Sequence, residues 1–249
     1  MVILVIYNGT HSATLGRPQG RRLNDNADNE MIHKHFADNT SAQSVASRMR
    51  RERFQILLDM IDGQANVSIL DIGGRPQYWE QMTAGTDLAD KLRVTMLNLE
   101  AHAASRPNFT TMVGDARSMP QFNDGQFDIV FSNSTIEHVG GFTDQQRMAN
   151  EVRRVGRRYY IQTPNKYFPI EPHFVFPMFQ FLPVAVRVWL LQRFTLGWMS
   201  RQPDRQKALN EVQGIRLLGR TEFQRLFPEA TIYDEKFYGL VKSFVAYTK

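Results

Sequence analysis

An α/β fold is what the sequence predicts: a mostly parallel sheet between two layers of helices, ended by an antiparallel hairpin. Three observations carry this. From residue 41 to 163, short apolar runs alternate with helical segments, the pattern of a parallel sheet with crossover helices. Each run stops at glycine or at a small polar or acidic residue, where such sheets present their carboxyl ends to ligands. The last two runs, 230–238 and 241–248, are joined closely enough by Gly239 and Leu240 for an edge hairpin. Seven strands result.

The first firm helix covers 41–62, with Thr40 or Ser41 able to cap it. Val45, Met49, Phe54, Leu57, Leu58 and Ile61 recur at helical spacing, and Gly63 ends it. The run 67–72 is a buried parallel strand stopped by Gly73-Gly74, and a helix starts near Tyr78. Strands follow at 93–99 (ending at Glu100), 109–113 (ending at Gly114-Asp115) and 127–131 (ending at Ser132-Asn133). A helix over 143–155 leads to a fifth strand at 158–162. Beyond 163 the alternation breaks into a segment rich in aromatics and prolines, and order returns with a short helix, 221–227, capped by Thr221.

Composition narrows the classes. The 249 residues suit one α/β domain with elaborations. With 42% hydrophobic and 22% charged residues the chain is too apolar for a disordered protein. Zero cysteine excludes a disulfide scaffold, a thiolate metal site and a cysteine nucleophile, and it fits a reducing, cytoplasmic setting. The opening Met-Val-Ile-Leu-Val-Ile-Tyr lacks the basic leader and apolar length of a secretory signal. Residues 1–40 read as a loose extension, and 41–249 as one domain with a cap helix (41–62) and an inserted lid (about 165–215). The net charge of +5 contains no long like-charge run; its densest cluster is Arg48, Arg50, Arg51 and Arg53. No aromatic-interleaved basic face marks a nucleic-acid binder.

Four strand ends carry the chemistry. The glycines after strand one let backbone amides approach a ligand closely. An acid at the end of strand two can accept both hydroxyls of a ribose, and an Asp after strand three can receive an adenine's amine. Ile69-Leu70-Asp71-Ile72-Gly73-Gly74, Asn98-Leu99-Glu100, Gly114-Asp115-Ala116-Arg117 and Phe127-Asp128-Ile129-Val130-Phe131-Ser132-Asn133-Ser134-Thr135-Ile136-Glu137-His138-Val139 together resemble a class I S-adenosylmethionine-dependent methyltransferase of the type 11 group. The resemblance runs from about residue 41 to the C-terminus. It implies a Rossmann-like three-layer sandwich and S-adenosylmethionine as cofactor, leaving S-adenosylhomocysteine as product. Asp71, Gly73 and Gly74 would face its methionine end, Glu100 its ribose, Asp115 and Ala116 its adenine, and Asn133 would lie beside the methyl donor. A nicotinamide-binding domain shares the glycine turn and strand-two acid, but Gly73-Gly74-Arg75-Pro76-Gln77-Tyr78 lacks the later glycines that it needs. Pro76 stands near where the family commonly has a third glycine. The methionine end is then held differently, by Arg75, Gln77 or Tyr78, unless these residues only begin the next helix.

Acceptor chemistry has two candidate locations: Glu137 and His138 after strand four, and Glu171 and His173 beyond strand five. His173, His138 and Glu171 are the candidate catalytic residues, and no metal site is expected. Missing motifs of the DNA-methylating branches favour a small-molecule acceptor, methylated on O or N, and a monomer or homodimer without nucleic acid. Phe174–Leu191 is aromatic and apolar but interrupted by Pro177, Gln180, Pro183 and Arg187, too broken to span a bilayer. It reads as a lid over the substrate, as a dimer contact, or as a membrane-surface patch for a lipid-like or quinone-like acceptor. A catalytically silent fold that only binds the cofactor is a further alternative.

Overall fold

The computed structural model describes residues 45–61 and 63–249. The extension 1–40, the proposed caps Thr40 and Ser41, and the first residues of the cap helix lie outside the described residues. The chain divides into two compact units, and helix α1 (Val45–Ile61), except for its last residue, belongs to a different unit from Ile61–Lys249. It is a 17-residue helix whose tight ladder of arginines, Arg48, Arg50, Arg51 and Arg53, follows from the sequence.

The larger unit is built on one seven-stranded sheet. Its strands are β1 (Val67–Ile72), β2 (Leu92–Asn98), β3 (Phe109–Val113), β4 (Phe127–Asn133), β5 (Gly156–Pro164), β8 (Thr231–Phe237) and β9 (Leu240–Tyr247), in the order β3-β2-β1-β4-β5-β9-β8. β1 to β5 are parallel; β9 runs antiparallel to both β5 and β8. The predicted mostly parallel sheet with its closing hairpin is therefore what the chain forms. Strand order reverses between β1 and β4, so the crevice of a doubly wound sheet opens above Ile72 and Asn133.

Why these strands sit centrally follows from their composition. Ile69, Leu70, Ile129, Val130 and Ile161 have no exposed surface, because β1, β4 and β5 are covered on both faces. Helix α2 (Pro76–Met82) contributes Trp79, and α3 (Phe142–Val155) contributes Met148, Ala149, Val152 and Val155, one stripe at helical spacing. α6 (Arg220–Leu226) adds Phe223, which stacks on Phe244 of β9 with ring centroids 6.0 Å apart.

Two local readings are corrected. Strand two ends at Asn98, not at Leu99, because its pairing with β3 stops at Asn98–Val113; Leu99 and Glu100 lie in a bend beyond it. Helix α6 is capped by Gly219 rather than Thr221. Glu222 reaches back to accept the Gly219 N–H at 3.1 Å, and Thr221 falls inside the first turn.

The stretch expected as a lid forms a small subdomain. A two-residue ladder joins β6 (Ile170–Glu171) to β7 (Phe176–Pro177), and α4 (Val184–Arg193) packs on α5 (Arg205–Gln213). Their own core holds Phe174, Phe179, Val188, Leu191, Leu196, Ala208 and Val212. Asn165 N–H bonds to the Lys242 carbonyl and Lys166 N–H to that of Leu218, which ties the start of this subdomain to β9 and to the segment before α6. On its outer side Met178, Phe181, Trp189, Phe194 and Trp198 are exposed, with Arg193 over the Trp189 ring at 5.2 Å. Among the described residues no helix is long and apolar enough to cross a membrane.

Candidate functional site

The first part of the site is the turn after β1. Ile72 ends the strand, and its carbonyl accepts hydrogen bonds from the hydroxyls of Ser132 and Thr135, each at 3.1 Å. The turn is thereby fixed to the end of β4. Gly73 adopts φ +79°, a conformation glycine takes without cost, and a side chain there would also strike Thr135. At Gly74 the constraint is steric: a Cβ would fall inside the carboxylate of Asp71. Two consecutive glycines therefore leave bare backbone at the mouth of the crevice. Asn98 Nδ2 donates to the Gly74 carbonyl at 2.9 Å and fixes the turn from the side of β2.

Asp71 is placed below this turn, not in the open crevice. Only 1% of it is exposed, and its Oδ2 accepts the Trp79 indole N–H at 2.7 Å. Trp79 was not among the residues that sequence reasoning singled out. An indole eight residues after an acid has no motif, and only the packing of α2 under the turn brings them together. Pro76 occupies the first position of that helix, where its missing N–H costs nothing and its fixed φ helps. This accounts for proline where a third glycine was expected, and it makes Arg75 the residue at the helix start.

Burial pushes the Asp71 carboxyl up to about 7, against the lowering effect of the Trp79 bond. Between roughly pH 4 and 7 the native chain thus holds a proton that the unfolded chain releases. Its contribution to stability falls as pH rises through that window and levels off above it. Asp71→Asn is expected to remove this fall, so that the variant gains on the wild type by up to a few kcal/mol between pH 5 and pH 8. Urea melts at the two pH values measure it; an unchanged difference would mean that Asp71 is ionised in the fold.

Glu100 is exposed in the bend after β2. Asp115 is held by its neighbour: the Arg117 guanidinium donates to both carboxylate oxygens, at 3.0 and 2.6 Å, and the Arg117 backbone N–H donates to Oδ1. This bond holds its carboxyl below the usual range. Ala116 is buried beside it. Asn133 ends β4 and is half-buried, and Ser134 follows with φ +55°, its hydroxyl donating to Gln162 Oε1 at 2.8 Å.

The second part brings together the candidate catalytic residues. A 3₁₀ turn, Ile136–His138, follows β4, and the β6–β7 hairpin faces it. His173 Nδ1 lies 2.7 Å from Glu171 Oε1, and its Nε2 lies 3.1 Å from His138 Nε2. The two rings meet edge to face with centroids 4.9 Å apart. Glu171 Oε2 accepts the backbone N–H of both His173 and Phe174 at 2.8 Å, so this carboxylate is fixed by three donors. Opposite them Glu137 has no exposed surface. Thr163 donates to its Oε2 at 3.0 Å, while Oε1 is buried with no partner among the described residues.

Electrostatics divides the imidazoles. Burial opposes charge on His173, but its bond to Glu171 and the charges of Glu171 and Glu137 outweigh that and raise it. His138 is pushed down to about 3 by burial and by the His173 charge. Burial pushes Glu137 up to about 7. One shared proton between the two Nε2 atoms, resident on His173, satisfies both rings.

A cleft of about 180 Å³ lies beside this cluster, lined by Glu171, Phe174, Phe179, Gln180, Arg187 and Ile215 among others. Gln180 Oε1 and Arg187 Nε are buried without a partner among the described residues. Burial lowers the Arg187 guanidinium. These two residues had no sequence signal beyond interrupting an apolar run.

Residues 76–158 match the family described as "Methyltransferase domain". Two uncharacterized proteins of Mycobacterium tuberculosis, from strains CDC 1551 / Oshkosh and ATCC 25618 / H37Rv, are each 31% identical over 86 residues. That alignment covers 34% of this chain and 28% of theirs, so the match spans little more than a quarter of these relatives. Among solved structures, the CurJ carbon methyltransferase is similar with a TM-score of 0.54 and 11% identity, over 90% of this chain and 57% of that one. Magnesium protoporphyrin IX methyltransferase from Synechocystis PCC 6803, with S-adenosylhomocysteine bound, gives 0.48 and 9%, over 89% and 93%. At such identity the likeness to the CurJ carbon methyltransferase speaks for the fold alone.

Proposed function

We propose that this chain is a class I S-adenosylmethionine-dependent methyltransferase, a reading its matched segment and its fold support, and that it methylates a small molecule bound beside His138 and His173. The observation that carries the reading is the turn at Gly73-Gly74, where side chains are sterically refused on both residues. Bare backbone at the point where strand order reverses is a place for a nucleoside-bearing ligand to lie close. The surrounding groups fit such a ligand. Glu100 is exposed at the end of the neighbouring strand, suited to ribose hydroxyls. Asp115, beside the buried Ala116, is suited to an adenine amine that shares the carboxylate with Arg117.

When bound, S-adenosylmethionine supplies an electrophilic methyl group on a sulfonium, and in-line transfer needs alignment above all. The chain provides this by fixing the β1 turn to the end of β4 through Ser132 and Thr135 and to β2 through Asn98. Asn133 ends β4, the strand that leads into the turn carrying Glu137 and His138. An acceptor that loses a proton during transfer requires a group to receive it. With the Nε2 hydrogen of His138 turned to a neutral His173, the Nδ1 of His138 can take that proton while its Nε2 proton passes to His173, whose charge Glu171 holds; His173 and Glu171 are positioning residues. In this reading the cleft next to Glu171 takes part of the acceptor. Arg187 and Gln180 supply the polar contacts.

Titration calorimetry with S-adenosylmethionine and S-adenosylhomocysteine tests the reading. The wild type is expected to bind both, and Glu100→Ala to bind about 10- to 100-fold more weakly, the worth of hydrogen bonds to a charged group. If the wild type binds neither, the methyl-transfer reading falls; if only the variant's affinity is unaltered, the ribose lies elsewhere.

A further inference from the structure

We propose that Glu137, His138 and His173 form a site for one divalent transition-metal ion of the zinc class, with Glu171 holding His173 in its ligating orientation. The proposal deepens the acceptor-side reading above and rests on it for the ion's role, though not for its binding.

Geometry is the first argument. One ligand atom from each of the three side chains can be chosen so that all lie within 4.8 Å of one another. The two Nε2 atoms are 3.1 Å apart. Two ligands of a tetrahedral zinc ion, each about 2.0–2.1 Å from the metal, stand roughly 3.3 Å from each other. The imidazoles are therefore already at ligand separation. Glu137 must close in by up to about 1.5 Å, which a turn of its terminal torsion can supply.

Tautomers give the second argument. Glu171 takes the Nδ1 hydrogen of His173, so the nitrogen turned toward His138 is the one left to coordinate. A carboxylate behind a histidine in this way is the usual outer support of a metal-bound imidazole. Two Nε2 atoms facing each other need something positive between them. A proton fills the gap when no metal is present, and a cation would displace it.

The orphaned atom is the third argument. Glu137 Oε1 is buried in the same cluster without a partner among the described residues, an arrangement that costs stability unless something charged or polar meets it. Two imidazoles and one carboxylate suit zinc and its neighbours better than calcium or magnesium. Three protein ligands leave a fourth position open, the arrangement of catalytic rather than structural sites. In the acceptor-side reading that position takes the oxygen or nitrogen to be methylated and lowers its proton affinity. His138 and His173 would then act as ligands, with the acceptor's proton released to solvent through the cleft.

The test uses the full chain stripped with a chelator and then freed of it. Zinc chloride is titrated by calorimetry, and cobalt chloride by visible absorption. The expected result is one equivalent of zinc per chain and the intense visible bands of tetrahedral cobalt. His138→Ala and His173→Ala should abolish both, and Glu171→Gln should weaken zinc by about 10- to 100-fold. His102→Ala, on the β2–β3 connection, should change nothing. Absence of saturable zinc binding and of cobalt bands in the wild type overturns the proposal, as does binding that survives both histidine variants. The cobalt reading needs no variant, so it stands even if a substitution unfolds the chain. S-adenosylhomocysteine titrated into the same stripped sample keeps the two ideas apart. Cofactor binding without zinc binding sinks the metal site alone; zinc binding without cofactor binding sinks methyl transfer alone.

Discussion

Gly74→Ala is expected to reduce S-adenosylhomocysteine affinity by at least about 100-fold and to lower the melting temperature. The new Cβ falls inside the Asp71 carboxylate, which has nowhere to go. Asp71 is buried, and its Oδ2 is bonded to a Trp79 indole that itself has no exposed surface and packs against Phe131 with centroids 5.3 Å apart. Either the turn lifts into the crevice, where the ligand backbone contact belongs, or the acid and the indole are forced apart. Overpacking of this kind costs about 1–3 kcal/mol in a well-filled interior. The first response destroys cofactor binding directly, and the second does so by loosening the floor of the turn. Gly85→Ala is the matching control. Gly85 has φ +76° with open space around it, so alanine there carries backbone strain of roughly 1–2 kcal/mol and no collision. It should cost stability without touching cofactor affinity. Equal affinity in Gly74→Ala and wild type would place the cofactor away from the β1 turn.

The same turn shows what a sequence can and cannot disclose. Ile72-Gly73-Gly74 announced a strand end and a close approach, because glycine pairs have few other uses there. The mostly parallel sheet with its edge hairpin followed, since apolar runs separated by helices leave little topological choice. Strand two ends one residue earlier than its sequence suggests, because the apolar run continues through Leu99 while pairing with β3 stops at Asn98. Trp79 escaped notice because its function is a contact with Asp71 that no local pattern encodes. His138 and His173 were each marked as candidates, yet nothing in the sequence joins them: 35 residues separate them, and only the β6–β7 ladder returns one to the other. Glu137 was legible as an acid next to a histidine. Its burial and its unpartnered oxygen depend on Thr163 and on the end of β5, and belong to the fold alone.

That cluster gives the other large expected effect. His138→Ala should lower turnover by about 10²- to 10⁴-fold, the range for loss of a positioned proton-transfer group, while S-adenosylhomocysteine affinity changes less than threefold. The separation follows from topology. His138 lies on the β4–β5 side of the crevice, and the glycine turn, Glu100 and Asp115 lie on the β1–β3 side. The effect holds whether a proton or a cation sits between the imidazoles, because His138 is one of the two walls of that gap in either state. Glu171→Gln distinguishes positioning from mere packing. Glutamine keeps the volume and can still accept from the backbone N–H groups of His173 and Phe174 through its Oε1, but it forfeits the charge that raises His173. Turnover should fall by an intermediate amount, with the substrate KM nearly unchanged once an acceptor is identified. If His138→Ala and Glu171→Gln both keep wild-type turnover, the acceptor is methylated without help from this cluster, and the half-buried histidine pair serves only to lock the β6–β7 hairpin onto the end of the sheet.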